Sequence, residues 1–258
     1  MLLECRDVSF SYGKQPVLNR VRFDVPRGEL VAVLGANGAG KSTLFRCILG
    51  FLRPQGTLLL DGTPVSAYRR RALAKKLAYI PQSAEPIFNY TLLETVLMGT
   101  TGAGGVLARP QPAQLEAAYR ALEQLGIASL ARRGISQVSG GERQLALIAR
   151  ALVQNAELLV MDEPTANLDY GNTQRVLEKI RALTHAGYTV LLSTHNPEHA
   201  LRYASRVLAL KDGTVCAHGK TADTLTPALI ESLYGVRVRM AEVETPQGMA
   251  SVLLAGEE

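Results

Sequence analysis

Three short stretches of this chain carry residue types and spacings that can do chemistry. Gly35-Ala36-Asn37-Gly38-Ala39-Gly40-Lys41-Ser42 fits the spacing G-x-x-x-x-G-K-[ST]. Its glycines let the backbone wrap closely around phosphate groups with N–H groups pointing inward. A helix beginning here, through Thr43-Leu44-Phe45-Arg46-Cys47-Ile48-Leu49, adds partial positive charge at the same place. Lys41 can then reach the β- and γ-phosphates of a nucleotide, and the Ser42 hydroxyl can ligate Mg2+. The second stretch, Leu158-Leu159-Val160-Met161-Asp162-Glu163, is an apolar run ending in two acids. Asp162 can hold the hydration shell of Mg2+, and Glu163 can polarise an attacking water. Alone, such a run reads as a strand followed by a solvated acidic turn; beside the glycine loop the chemical reading prevails. The third stretch, Ser139-Gly140-Gly141-Glu142-Arg143-Gln144, sets two glycines before the helical run Leu145 to Leu152. It is a second candidate phosphate-binding helix N-terminus. Ser139 is equally suited to cap that helix.

These groups need strands to deliver them. Leu30 to Leu34, just before the glycine loop, reads as a buried strand, as do Leu158 to Met161 and Thr189-Val190-Leu191-Leu192-Ser193-Thr194. Active groups of parallel sheets gather at strand C-termini, where each of these runs meets its polar residues. Leu2 to Phe10 and Val21 to Val25 alternate and predict N-terminal strands. Further strands are predicted at Thr57 to Leu60, ending in the turn dipeptide Asp61-Gly62, and at Leu77 to Ile80, stopped by Pro81. From about Thr91 to Leu152 the period becomes helical. Leu92, Thr95, Val96 and Gly99 share one face, and Leu115, Ala118, Leu122 and Leu125 another, with a Gly/Pro-bearing loop over Thr101 to Pro112 between them. Gly171 to Ala182 and Pro197 to Tyr203 read as helices, and Arg206 to Leu210 with Thr214 to Ala217 as a hairpin around Asp212-Gly213. Strand and helix alternating around the glycine loop predict a parallel α/β core.

The chain of 258 residues can bury a sizeable core. No uncharged apolar run approaches the length of a membrane span, and Glu4, Arg6 and Asp7 come too early for a signal segment. Cys5, Cys47 and Cys216 are odd in number and widely spaced, which argues against disulfides or a metal site and for a reducing cytoplasm. A formal charge of +5 allows contact with anionic lipid or nucleic acid but specifies neither. The run Arg69-Arg70-Arg71 with Lys75-Lys76 is best read as a solvated helical face.

The order of these motifs resembles the ATPase subunit of an ATP-binding cassette (ABC) transporter, and the resemblance covers essentially the whole chain. Gly35 to Ser42 matches Walker A, and Leu158 to Glu163 matches Walker B with its catalytic glutamate. Val138 to Glu142 is similar to the signature Leu-Ser-Gly-Gly-Gln, departing at Val138 and Glu142. Gln82 matches the Q-loop, Ala166-Asn167-Leu168-Asp169 the D-loop, His195 the switch histidine and Tyr12 the aromatic residue that stacks on adenine. The resemblance implies a P-loop NTPase core with a mainly parallel sheet, an N-terminal antiparallel β subdomain and an inserted α-helical subdomain. The ATPase domain would span 1–220, with the helical insertion at about 88–152 and a short extension at 221–258. It implies ATP and Mg2+ as cofactors. Tyr12, Gly35, Ala36, Asn37, Gly38, Ala39, Gly40, Lys41, Ser42, Thr43, Gln82, Ser139, Gly140, Gly141, Glu142 and Asp169 would contact the nucleotide. Ser42, Gln82 and Asp162 would attend the metal, and Glu163, His195 and Lys41 the hydrolysis. Two copies would pair head to tail, each ATP lying between the P-loop of one and Ser139 to Gly141 of the other. The Gln82 loop would contact a polytopic membrane permease at the cytoplasmic face of the inner membrane. A substrate-binding protein would act indirectly, through that permease.

Within the family, Tyr79-Ile80-Pro81-Gln82, Gly141-Glu142-Arg143-Gln144 and the tail from Leu225 through Tyr234-Gly235-Val236 resemble the ATPases of importers for iron–siderophore, haem and cobalamin complexes. Thr101 to Arg109 lacks the aromatic and histidine residues often found there in siderophore members. A metal ion or an oxyanion is the alternative cargo. A soluble cassette ATPase working on nucleic acid or ribosomes is the rival class. Such proteins resemble this chain less, because they carry a long coiled coil or two cassettes, and nucleic acid is therefore not an expected partner.

Overall fold

The computed structural model describes residues 1–82, 88–100, 109–245 and 248–256. In chain order the elements are β1 (Leu3–Tyr12), β2 (Gln15–Val25), β3 (Leu30–Leu34), α1 (Lys41–Ile48), β4 (Gln55–Leu60), β5 (Thr63–Pro64), α2 (Arg70–Leu73) and β6 (Leu77–Ile80). Then come α3 (Leu92–Leu97), α4 (Pro112–Leu125), α5 (Gly140–Leu152), β7 (Leu158–Met161), α6 (Tyr170–His185), β8 (Thr189–Thr194) and α7 (Pro197–Tyr203). The chain ends with β9 (Arg206–Lys211), β10 (Thr214–Lys220), α8 (Thr221–Thr224), α9 (Pro227–Tyr234), β11 (Val238–Thr245) and β12 (Gly248–Ala255). These elements form two compact units, Met1–Tyr68 with Leu183–Glu258, and Arg69–Ala182.

In the first unit β3 lies parallel to β8, Leu30 opposite Val190 through Leu34 opposite Thr194, and parallel to β9 on its other side. All five residues of β3 and all six of β8 are buried, as strands covered on both faces must be, although β8 carries Thr189, Ser193 and Thr194. The second layer is the antiparallel sheet β2-β1-β4-β5. Its long hairpin is bent by left-handed residues at Asp7 and Arg20, where the register shifts. The Arg22 guanidinium grips Asp7 with both arms, Nε to Oδ1 at 2.6 Å and Nη2 to Oδ2 at 2.7 Å, and holds that carboxyl below the usual range. Both Asp-Gly turns form as the dipeptide predicts, with φ of 52° and 72° at Asp61-Gly62 and 48° and 73° at Asp212-Gly213. The C-terminal tail, expected only as a short extension at 221–258, carries defined elements. Here α9 packs on β11 and α7 on β12 of an antiparallel hairpin. Residues 246–247 lie outside the described residues, and the charges of Arg239, Glu242 and Glu244 break a simple alternation along β11.

In the second unit β6 and β7 pair in parallel, Leu77 opposite Leu158 through Ile80 opposite Met161. The α/β layers of both units thus have mainly parallel strand pairing. Helices α3, α4 and α5 pack on one another. A capping box starts α3: Thr91 Oγ1 accepts from Glu94 N at 3.2 Å, and Glu94 Oε2 accepts from Thr91 N at 2.8 Å. Leu92, Thr95 and Val96 are buried as their spacing required. Gly99 belongs on that face for a steric reason, since a β-carbon there would lie 2.1 Å from the Arg150 carbonyl oxygen. Most of the Gly/Pro-bearing loop predicted over Thr101 to Pro112 lies outside the described residues, and α4 opens at Pro112. Of the basic run, Arg69, Arg70, Arg71 and Lys75 are exposed, while Lys76 donates to Glu157 at 2.9 Å. Among the described residues no helix is long and apolar enough to cross a membrane. Burial pushes the Cys47 thiol up to about 11 and contributes most to Cys5 at about 12, so both remain neutral packing groups.

Two glycine substitutions separate backbone approach from helix propensity. Gly99→Ala should destabilise the chain by about 1–3 kcal/mol, because the new methyl must displace the α5 backbone. Gly171→Ala, whose β-carbon meets nothing closer than Asp169 Oδ1 at 3.6 Å, should stabilise it by up to about 1 kcal/mol. Urea titrations followed by circular dichroism measure both, and equal effects would refute the contact-based assignment.

Candidate functional site

In the first unit the glycine loop leaves β3 at Gly35 and enters α1 at Lys41. Gly35 has no room for a side chain, since a β-carbon would lie 2.3 Å from the Leu210 carbonyl oxygen. Gly38 and Gly40 sit at φ of 83° and 103°, a region that glycine enters without strain. The Lys41 ammonium folds back over the loop and donates to the carbonyls of Gly35 at 2.7 Å and Ala36 at 3.1 Å. No side chain caps α1 at Gly40, and its first turn carries no acid. By contrast, Thr91, Ser139, Asn196 and Thr226 each cap their own helices. The amide end of α1 is therefore built to receive an anion from outside the helix. Ser42 and Thr43 lie in this first turn.

His195 follows β8 as Gly35 follows β3, and the register Leu34 opposite Thr194 puts both at the same strand end. The turn carrying His195 is held by His199, which none of the sequence motifs includes. The His199 ring lies 3.4 Å from Thr194 Oγ1 through Nδ1 and 3.3 Å from Asn196 Nδ2 through Nε2. Burial foremost, and then the nearby His195, lower the His199 pKa, so this ring stays neutral at physiological pH. The visible signal was a second histidine four residues after His195, in the first turn of the short helix α7. Tyr12 closes β1, half exposed, with its ring edge-on to Phe10 at 5.0 Å. Its hydroxyl accepts from Arg46 Nη1 at 3.4 Å, which ties it to α1.

In the second unit β6 and β7 end side by side. Asp162 N donates to the Ile80 carbonyl at 2.9 Å, so Gln82 emerges beside Asp162 and Glu163. Asp162 is buried and Gln82 exposed. Glu163 has φ of 43°, a left-handed conformation that costs a non-glycine residue about 1–3 kcal/mol and is concentrated at working sites.

The glycine-led helix α5 begins with a reciprocal cap. Ser139 Oγ accepts from Glu142 N at 3.2 Å, and Glu142 Oε2 accepts from Ser139 N at 2.8 Å. Ser139 is therefore an N-cap, as its type allowed, and Glu142 is turned onto it. Asp169 is likewise the cap of α6, accepting from Asn172 N at 2.8 Å and Asn172 Nδ2 at 2.7 Å, bonds that lower its pKa. Asn172 links the two motifs. A β-carbon on Gly141 would lie 2.4 Å from Asn172 Oδ1, and one on Gly140 would lie 3.0 Å from Leu168 Cδ2. A side chain at Gly141 would have to displace Asn172, and one at Gly140 would press on the end of the Leu168 side chain, so the segment around Asp169 packs closely against both glycines.

Comparison with known proteins places the chain in a family. The sequence profile of the ABC transporter family matches residues 18–166, more than half of the chain. The haemin import ATP-binding protein of Myxococcus xanthus is 36% identical over 250 residues, 94% of this chain and 93% of that protein. The ATP-binding protein of the Bacillus subtilis manganese transport system is 37% identical over 239 residues, 92% of this chain and 93% of that one. Among solved structures, a chain of a metal-chelate type ABC transporter in an inward-facing conformation superposes with a TM-score of 0.87 at 30% identity, covering 100% of this chain and 98% of that chain. With a glycine loop before an uncapped helix, an acidic strand end and a glycine-led second helix, this chain belongs to the ABC transporter family and is one of its ATP-binding, ATP-hydrolysing subunits.

Proposed function

We propose that the chain powers an importer of a metal chelate of the iron–siderophore, haem or cobalamin type, working as a homodimer against a polytopic permease at the cytoplasmic face of the membrane. The observation that carries the nucleotide chemistry is the uncapped amide end of α1, with Lys41 folded over the loop that precedes it. Gly35 to Thr43 cradle the phosphates, Lys41 neutralises the β- and γ-oxygens, and Tyr12 stacks on adenine. The metal donors proposed, the Ser42 hydroxyl, the Asp162 carboxylate and the Gln82 amide, are hard oxygen ligands of the kind Mg2+ prefers, and Mg2+ keeps several waters beside nucleotide phosphates. Bound there, it would offset charge on the transferring phosphoryl group. Glu163 takes the proton of the attacking water, and His195 donates to the γ-phosphate. Ser139, Gly140 and Gly141 of a second copy approach the same phosphate, and Asp169 lies at the pair's junction. Glu142, which stands where the family commonly has glutamine, keeps its charge on its own cap. Domain limits at 220 and at about 88–152 complete the proposal.

The cargo assignment rests on the haemin import relative and on the metal-chelate type transporter whose chain superposes on this one. The manganese relative favours a second reading, a free metal ion as cargo.

Lys41→Ala removes charge-assisted contacts to phosphate, so ATP affinity and turnover should both fall. Calorimetric titration and phosphate release measure them, and values equal to wild type would overturn the phosphate-loop assignment. Glu163→Gln should bind ATP, hydrolyse it roughly 10²–10⁴ times more slowly and accumulate as a dimer. Light scattering showing monomer alone for this variant with ATP and the permease present would count against the dimer. Reconstitution with permease and binding protein in liposomes tests the cargo. ATP-driven uptake of a chelate, lost in Glu163→Gln, is expected. Uptake of free Mn2+ alone would favour the second reading, and stimulation by DNA or ribosomes with no copurifying membrane protein would overturn both.

A further inference from the structure

The two Asp-Gly turns share one backbone and have opposite surroundings. A β-carbon on Gly62, which is exposed, would meet nothing within 4 Å. One on Gly213, which is buried, would lie 2.2 Å from the Val17 carbonyl oxygen and 3.3 Å from Leu18 Cα. Gly213 also spends both of its backbone groups on different partners. Its N–H donates to the Ala39 carbonyl in the phosphate loop at 3.2 Å, and its carbonyl accepts from Asn19 N in β2 at 2.8 Å. The Val17 carbonyl that Gly213 approaches also lies over the loop, 3.1 Å from where a β-carbon of Gly40 would stand. From β2 the hairpin runs directly back to Tyr12, which pairs with Gln15.

We propose that Gly213 is a positioning residue for nucleotide binding: it clamps the strand that bears the adenine platform to the loop that bears the phosphates. The proposal rests on the assignment of Tyr12 and of Gly35 to Ser42 made above. The loop is steadied on its own side by the Leu210 carbonyl against Gly35 and by Lys41 on the carbonyls of Gly35 and Ala36. Among the described contacts, the backbone bridge from loop to β2 runs through Gly213. A side chain here must push the turn away from Val17, which separates β2 from Ala39 and takes Tyr12 out of reach of a base whose phosphates are still held. A positioning role of this kind alters the advantage of ATP over bare triphosphate, whereas a general loss of stability does not.

The test titrates the purified full chain calorimetrically with Mg-ATP and with Mg-tripolyphosphate. In wild type ATP should bind about 10–100-fold more tightly, the worth of one base stacked on an aromatic ring. In Gly213→Ala that ratio should collapse to within about 3-fold through weaker ATP binding, while tripolyphosphate binding changes by less than about 3-fold. Gly62→Ala carries the same left-handed strain without the collision and should keep the wild-type ratio at a similar thermal midpoint. Asn19→Pro removes the donor to Gly213 from an exposed position with negative φ, so it should lower the ratio even if Gly213→Ala fails to fold. A wild-type ratio in both Gly213→Ala and Asn19→Pro, or an equal loss of both ligands, would overturn the proposal. Failure of the underlying reading looks different: wild type would then bind no tripolyphosphate, or would bind both ligands equally.

Discussion

A phosphate loop works by exposing backbone amides, and that requirement removes the side chains that would otherwise hold it in place. Gly35, Gly38 and Gly40 can neither fill space nor reach a neighbour. The loop is instead held by other parts of the first unit. The Leu210 carbonyl abuts Gly35, the Gly213 amide takes up the Ala39 carbonyl, and Leu18 and Val17 close over Gly40. Lys41 supplies the remaining restraint, donating to two loop carbonyls while keeping its charge where a phosphate would arrive. The long excursion of the chain from β3 to β8 and β9 serves this end, since both later strands flank β3 in parallel and deliver the Leu210–Gly213 segment and His195 to the loop.

The helix ends show how the chain distributes anion affinity. A helix N-terminus carries roughly half a positive charge and unsatisfied amides, and most proteins quench both with a local side chain. This chain does so at α3, α5, α6, α7 and α9 with Thr91, Ser139, Asp169, Asn196 and Thr226. It leaves α1 without such a cap, and likewise the one-turn helices α2 and α8, but of these α1 alone follows the glycine loop. At α5 the cap is reciprocal and anionic, because Glu142 sits at the third position, so that terminus is partly neutralised before any ligand approaches. The two glycine-led helices are therefore not equivalent anion sites. The first is open, and the second is quenched on one side and carries glycines against which the Asn172 and Leu168 side chains pack closely.

Several residues in the second unit combine a folding role with a role in the proposed chemistry. Asp169 caps α6 through Asn172 and is the residue proposed for the junction of the pair. Asp162 continues the pairing of β6 with β7 through its amide while its carboxylate ends the strand. Glu163 holds a left-handed backbone whose strain the adjoining turn, Ala166 N to Glu163 O at 3.0 Å, helps to maintain. Such overlap explains why a short stretch of sequence can look like an ordinary capped helix and a reactive site at once: both descriptions use the same atoms.

Local pattern alone determined the strands β3, β6, β7 and β8, whose apolar runs end abruptly at polar residues, along with α7 and the two Asp-Gly turns. For these, burial and turn chemistry act within a few neighbouring residues, so the pattern in the chain is the cause of the structure. The phosphate loop, the acidic strand end and the glycine-led helix were legible for the same reason. What only the tertiary structure decided depends on contacts between residues distant in the chain. The size limit at Gly99 is set by Arg150, that at Gly141 by Asn172, and that at Gly213 by Val17. The neutral His199 behind His195 and the hairpin β11–β12 also escaped the pattern. The first depends on burial among Thr194 and Asn196, and the second on packing of a weakly alternating tail against α7 and α9. A sequence records the type of each residue, but the space left for a β-carbon and the partner of a buried ring are properties of the neighbours that folding supplies.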